Sequence, residues 1–259
     1  MFTLLGCIGF ISGFLSGFLG IGGGIVMAPL LLYLPPLFGL TPLPMRVVAG
    51  LTIVQGLLGC LFGTLSHRRF RFVSGPLSIY MGGSIFFAAV IGGAGANHVS
   101  NEALLFLFAC LAFGASILML LSNKEDVENP DIDKLVFSRF RAMASAGGVG
   151  LVGGLVGQGG SFILIPLMIS FVKIPTRIAI GSNLAIVTAS SFAGFIGKAF
   201  TGQIEWLLTI PILITVIPAT YLGSILSRRM PTRVLKKILS FLIAAAAIRI
   251  WIAFLSPGP

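Results

Sequence analysis

Gly20-Ile21-Gly22-Gly23-Gly24-Ile25-Val26-Met27-Ala28-Pro29-Leu30 sits inside an apolar run that extends from residue 2 to residue 36. The stretch returns without a gap as Gly157-Gln158-Gly159-Gly160-Ser161-Phe162-Ile163-Leu164-Ile165-Pro166-Leu167, within a second long run from 141 to 172. Further along each copy, Pro44-Met45-Arg46 is echoed by Pro175-Thr176-Arg177, Gly50 by Gly181 and Gly92 by Gly223. A glycine-rich chain could imitate one such match by chance, but not all of them in order, so the chain reads as a duplicated unit.

The surroundings of these motifs define the solvent. The chain is 56% hydrophobic and only 9% charged, whereas a soluble domain carries roughly a quarter charged residues. Lipid must therefore face most of the surface. Apolar segments run over 2–36, 43–66, 74–96, 101–122, 141–172, 178–200, 204–227 and 234–255. No cleavable signal peptide is read at the start, because residues 1–19 lack a charged leading region. The polar stretch Ser122–Ser138 holds five of the seven acidic residues. It divides the chain into an N-terminal transmembrane repeat (1–122), an acidic cytoplasmic linker (123–139) and a C-terminal transmembrane repeat (140–259).

Charge sets the expected topology. If all eight segments crossed the bilayer, Lys and Arg would divide evenly between the two sides. If instead 2–36 and 141–172 are re-entrant hairpins, fourteen basic residues share one side and only Arg46 and Lys198 lie on the other. The positive-inside rule prefers the second arrangement. Runs of 35 and 32 residues also exceed the roughly 20 that one crossing needs. The expected fold is thus an all-α polytopic membrane protein of two inverted repeats. Each repeat has four hydrophobic segments, the first broken by glycine, either as a hairpin or as a discontinuous crossing.

The same glycines locate the chemistry. Exposed backbone at membrane depth is tolerated only where it lines a protein cavity. A helix restarting after such a break turns its free amides and positive dipole end toward that cavity, which favours an anion. The candidate substrate-binding residues are accordingly Gly20, Gly22, Gly23 and Gly24, with Gly157, Gln158, Gly159, Gly160 and Ser161 in the second copy. Thr52, Ser182 and Asn183 add uncharged polar groups inside apolar spans. Gln55 is a further candidate, ranked below Gln158 because the latter lies within the glycine break. Tight helix packing and interhelical hydrogen bonding are the competing readings of these residues. Arg46 and Arg177 serve as gates or, more simply, as snorkelling anchors.

Several classes drop out. No HExxH, GxSxG or Walker A sequence appears, so an enzyme is not expected. Cys7, Cys60 and Cys110 show neither CxxC nor Cys/His ligand spacing, which points to no metal and no cofactor. The basic residues cluster between spans, as for contacts with anionic lipid headgroups rather than nucleic acid.

The doubled glycine motifs, each followed by Pro-Leu, and the later Pro-x-Arg…Gly elements resemble the TauE/SafE family over residues 4–255. The resemblance implies a multi-pass protein of the cell inner (plasma) membrane that exports sulfite, sulfoacetate or a similar C2 sulfonate, with the glycine loops as its substrate region. The alternative is an importer or proton-coupled symporter of thiosulfate or a small organic acid. The partners expected are a small anionic substrate and membrane lipids, with a homodimer left open.

Overall fold

The computed structural model describes residues 1–95, 106, 110, 113–114, 117–118, 130–156, 161–200, 202 and 204–255. Among these residues every regular element is helical, as lipid demands, since only helices and closed barrels satisfy their own backbone there. The helices are α1 (Phe2–Leu19), α2 (Gly24–Leu37), α3 (Met45–Arg69), α4 (Gly75–Gly95), α5 (Arg139–Val156), α6 (Ser161–Leu167), α7 (Thr176–Phe200), α8 (Trp206–Arg229) and α9 (Thr232–Leu255). A π-helical turn, Met168–Val172, continues α6 directly after Leu167, next to Pro166. Five of the helices, α1, α3, α4, α7 and α8, are long and apolar enough to cross a membrane. The 101–122 segment expected from sequence lies largely outside the described residues.

Small residues decide which helices meet. Gly9, Gly13 and Gly17 of α1 face Ile212, Val216 and Thr220 of α8 in ascending order, so these two helices run parallel. A Cβ on Gly13 would lie 2.9 Å from the Val216 main chain, and one on Gly17 would run into the Thr220 carbonyl. Helix α4 pairs with α5 in the same parallel sense: the Arg139 guanidinium lies over Tyr80, Ser84 Oγ donates to the Met143 carbonyl, and Gly150 meets Ile85. Helices α3 and α7 cross the middle of the molecule antiparallel, with Gly63 against Leu184, Gly56 against Ser191 and Gly194 against Ile53. Bare glycine surfaces let backbones approach closely, which is how helices associate where burial from lipid offers no hydrophobic gain.

Two large apolar clusters form around this frame, besides a small one of Cys60, Leu184 and Val187. One gathers Leu5 and Ile8 of α1, Met27 and Leu31 of α2, Leu43, Val48 and Leu51, and Ile212 and Val216 of α8. The other joins α4, α5, α6, α7 and α9 through such residues as Met81, Ala146, Leu164, Ile178 and Leu239. Outside both, Ile79, Phe87, Ile214 and Phe241 remain exposed, forming an apolar mantle suited to acyl chains. The basic ends come together: Arg228 stacks over Phe70 at 4.9 Å, and Arg71 approaches Asp133 of the linker at 4.0 Å.

Candidate functional site

Helix α1 stops because Gly20 takes the left-handed conformation (φ 73°), its N–H donating to the Ser16 carbonyl at 2.9 Å. Such a C-cap suits glycine, which has no Cβ to clash. Gly22 and Gly23 also sit at φ 72°, and α2 starts at the next residue. Among the described residues no side chain caps that start; the Gly23 carbonyl accepts from Val26 and Met27. The positive end of α2 is therefore turned toward the glycine turn. There is no room for side chains at two of these positions. A Cβ on Gly20 would lie 2.6 Å from the Ile180 carbonyl, and one on Gly23 would strike the Gln55 amide and lie 2.7 Å from the Ser12 carbonyl.

Uncharged polar groups surround the turn. Gln55 stands in the middle of α3, fully buried, and among the described residues neither Nε2 nor Oε1 has a hydrogen-bond partner. Ser16 Oγ, equally buried, has none either. Both converge over the bare face of Gly59, where a Cβ would be 3.0 Å from Ser16 Oγ and 3.1 Å from Gln55 Nε2. Ser191 of α7 closes the other side, its Oγ 3.7 Å from a Cβ on Gly56, which would also be 3.8 Å from the Gly22 carbonyl. Ser12 instead donates to Gly9 within α1. A buried polar group left unpaired costs about 1–3 kcal/mol, so two side by side mark a place where something else supplies the missing bonds.

The residues singled out from sequence fall into three groups. Gly20, Gly22, Gly23 and Asn183 come together, since Asn183 Nδ2 donates to the Gly20 carbonyl at 2.7 Å and ties the turn to α7. Gly24, the first residue of α2, faces open space. Ser182 and Thr52 are engaged with backbone: Ser182 Oγ accepts from the Ser74 N–H at 3.0 Å just before α4, and Thr52 Oγ1 donates to the Ala49 carbonyl at 3.1 Å. Gly157, Gln158, Gly159 and Gly160 lie outside the described residues, as do the side chains of Ser161 and Arg46.

Arg177 is buried and bonded to backbone. Its guanidinium donates to the carbonyls of Ser227, Arg228 and Met230 at 2.9–3.0 Å and lies 5.5 Å over Phe72. It thereby serves the carbonyls at the C-terminal end of α8, where a cation is favoured. Ranking Gln55 below Gln158 and leaving out Ser12 and Ser16 are the points at which residue order alone misses this cluster. Ser12 and Ser16 do carry a signal, two hydroxyls one turn apart in a glycine-rich helix, but it resembles ordinary packing. No group of three His, Cys, Asp or Glu among the described residues could hold a metal.

An apolar helical bundle of this length, with a buried uncharged polar cluster where a helix is interrupted, is an integral membrane protein of the transporter class. The chain belongs to the family described as "Sulfite exporter TauE/SafE", which matches residues 5–250. It is 24% identical to "Probable membrane transporter protein YunE" of Bacillus subtilis, over 92% of this chain and 93% of that one. Similarity also extends to "Probable membrane transporter protein MJ0441" of Methanocaldococcus jannaschii, at 25% identity over 96% and 94% of the two chains. The protein YdhB of Bacillus subtilis, described in the same words, is 26% identical over 88% and 91%. No solved structure matches the chain.

Proposed function

We propose that this member of the family exports a small sulfur-containing anion, such as sulfite, sulfoacetate or a similar C2 sulfonate, across the cell inner membrane. The substrate passes through a site at the glycine-rich turns of two inverted repeats. The observation carrying this reading is the uncapped start of α2 beside the buried Gln55 and Ser16, an electropositive but uncharged cradle. Neutral donors hold an oxyanion without the tight grip of a fixed cation, so release stays easy.

Three features support the inverted hairpin geometry. Leu5 near the start of α1 shares a cluster with Leu31 of α2 and with Leu43 and Val48, as expected if α2 returns alongside α1. The Gly13–Val216 contact has a counterpart in Gly150–Ile85, and Gly63–Leu184 has one in Gly194–Ile53. These pairs obey the offsets that align Gly20 with Gly157 and Gly50 with Gly181. Gathering of the basic residues at the opposite end agrees with a cytoplasmic linker.

Among the described residues the carboxylates are Asp131, Asp133 and Glu205, each outside helices α1–α9. Export therefore draws on the membrane potential, which contributes about 2.3 kcal/mol per charge per 100 mV. Proteoliposomes loaded with sulfite or a C2 sulfonate should release it when an inside-negative potential is imposed without a pH gradient. Efflux that ignores potential but requires a pH gradient would replace this reading with proton-coupled symport.

A further inference from the structure

We propose that Gln55 reads the substrate, forming with Ser16 and the start of α2 a two-sided receptor for a small sulfonate that also carries a hydroxyl group. The proposal rests on the export reading only in taking the Gly22–Gly23 turn as part of the substrate path.

The two faces of the amide carry the argument. Gln55 is fully buried near the midpoint of α3, and its Nε2 lies against Gly23, at the uncapped start of α2. That nitrogen, the Ser16 hydroxyl and the dipole of α2 all favour an acceptor that bears negative charge. Gln55 Oε1 is different: it is equally buried, it has no partner among the described residues, and it can only accept. A fully ionised inorganic dianion presents acceptors alone, so it would leave Oε1 unpaired and facing like partial charge. A sulfonate with a hydroxyl one or two carbons away pairs both faces, with its oxygens on Nε2 and Ser16 and its O–H on Oε1. Glycine at 59 lets Ser16 Oγ and Gln55 Nε2 meet against the bare α3 backbone, since a Cβ there would crowd both.

A site built to bond a substrate hydroxyl discriminates strongly against the analogue lacking it, because the analogue leaves a buried group unpaired. The test compares 2-hydroxyethanesulfonate with ethanesulfonate in full-length protein reconstituted into proteoliposomes, with sulfate as an acceptor-only control. Wild-type protein should move the hydroxylated compound about tenfold faster at subsaturating concentration, with sulfate slower still. Gln55→Leu should bring the ratio of the two sulfonates close to one. Ser16→Ala should slow both by a similar factor, since it removes a donor to the shared sulfonate group. Gln55→Met repeats the measurement if the leucine variant does not insert, and the wild-type ratio stands independently of either variant.

Equal rates in wild type, or a preference that survives loss of the Gln55 amide, would overturn the assignment while leaving sulfonate export intact. Export of sulfite but of neither sulfonate would overturn it likewise, whereas movement of none of these anions under an imposed inside-negative potential would remove the export reading and this proposal with it.

Discussion

Gly23 and Gly24 are chain neighbours with opposite requirements. Gly23 sits at φ 72°, and a Cβ there would strike Gln55 and crowd the Ser12 carbonyl; Gly24 opens α2 and has nothing within 4 Å. Substituting alanine at 23 combines a left-handed backbone, costing roughly 1–2 kcal/mol, with displacement of the polar cluster. Transport by Gly23→Ala should therefore fall at least tenfold, while Gly24→Ala should retain it and melt no lower than wild type. Comparable flux from both variants would mean that the turn tolerates a side chain and that its glycines serve packing elsewhere.

At the scale of an element, the end of α8 depends on a residue fifty positions away. Carbonyls of Ser227, Arg228 and Met230 converge on the planar fork of Arg177. A lysine ammonium is shorter in reach as a donor set and cannot bridge three carbonyls held apart. Arg177→Lys should therefore lower stability by about 1–3 kcal/mol, read as a fall in thermal unfolding temperature in detergent. An unchanged melting curve would show that water serves those carbonyls equally well. The parallel seam between α1 and α8 is a second element-scale device, because Gly13, Gly17 and Gly223 each bring one backbone against the other.

For the whole molecule, the expected arrangement places both ends of the α1–α2 pair on one face of the membrane. In a background with Cys7, Cys60 and Cys110 replaced, Phe2→Cys and Leu37→Cys should react with an impermeant thiol reagent from the same side. Arg69→Cys and Arg229→Cys should react only from the other. Labelling of positions 2 and 37 from opposite sides would make the first segment a crossing and remove the geometric basis for two facing glycine turns.

Much of this was legible in the order of residues. Composition identified lipid as the solvent, and the duplicated motif pointed to the family, because both depend on residue type and spacing alone. The apolar segments foresaw the helix limits to within a few residues, as in 43–66 against Met45–Arg69, since hydropathy follows the length that spans a bilayer. Arg177 stood out in the sequence as a gate or a snorkelling anchor, but its bonds to the α8 carbonyls did not, because those carbonyls reach it only through the packed bundle. Gln55 and Ser16 belong to different helices, and nothing in their spacing announces a meeting over Gly59. That convergence was decided by the tertiary structure, because bare glycine faces set how closely α1 and α3 approach, and close approach is what brings two buried polar groups side by side with no partner among the described residues.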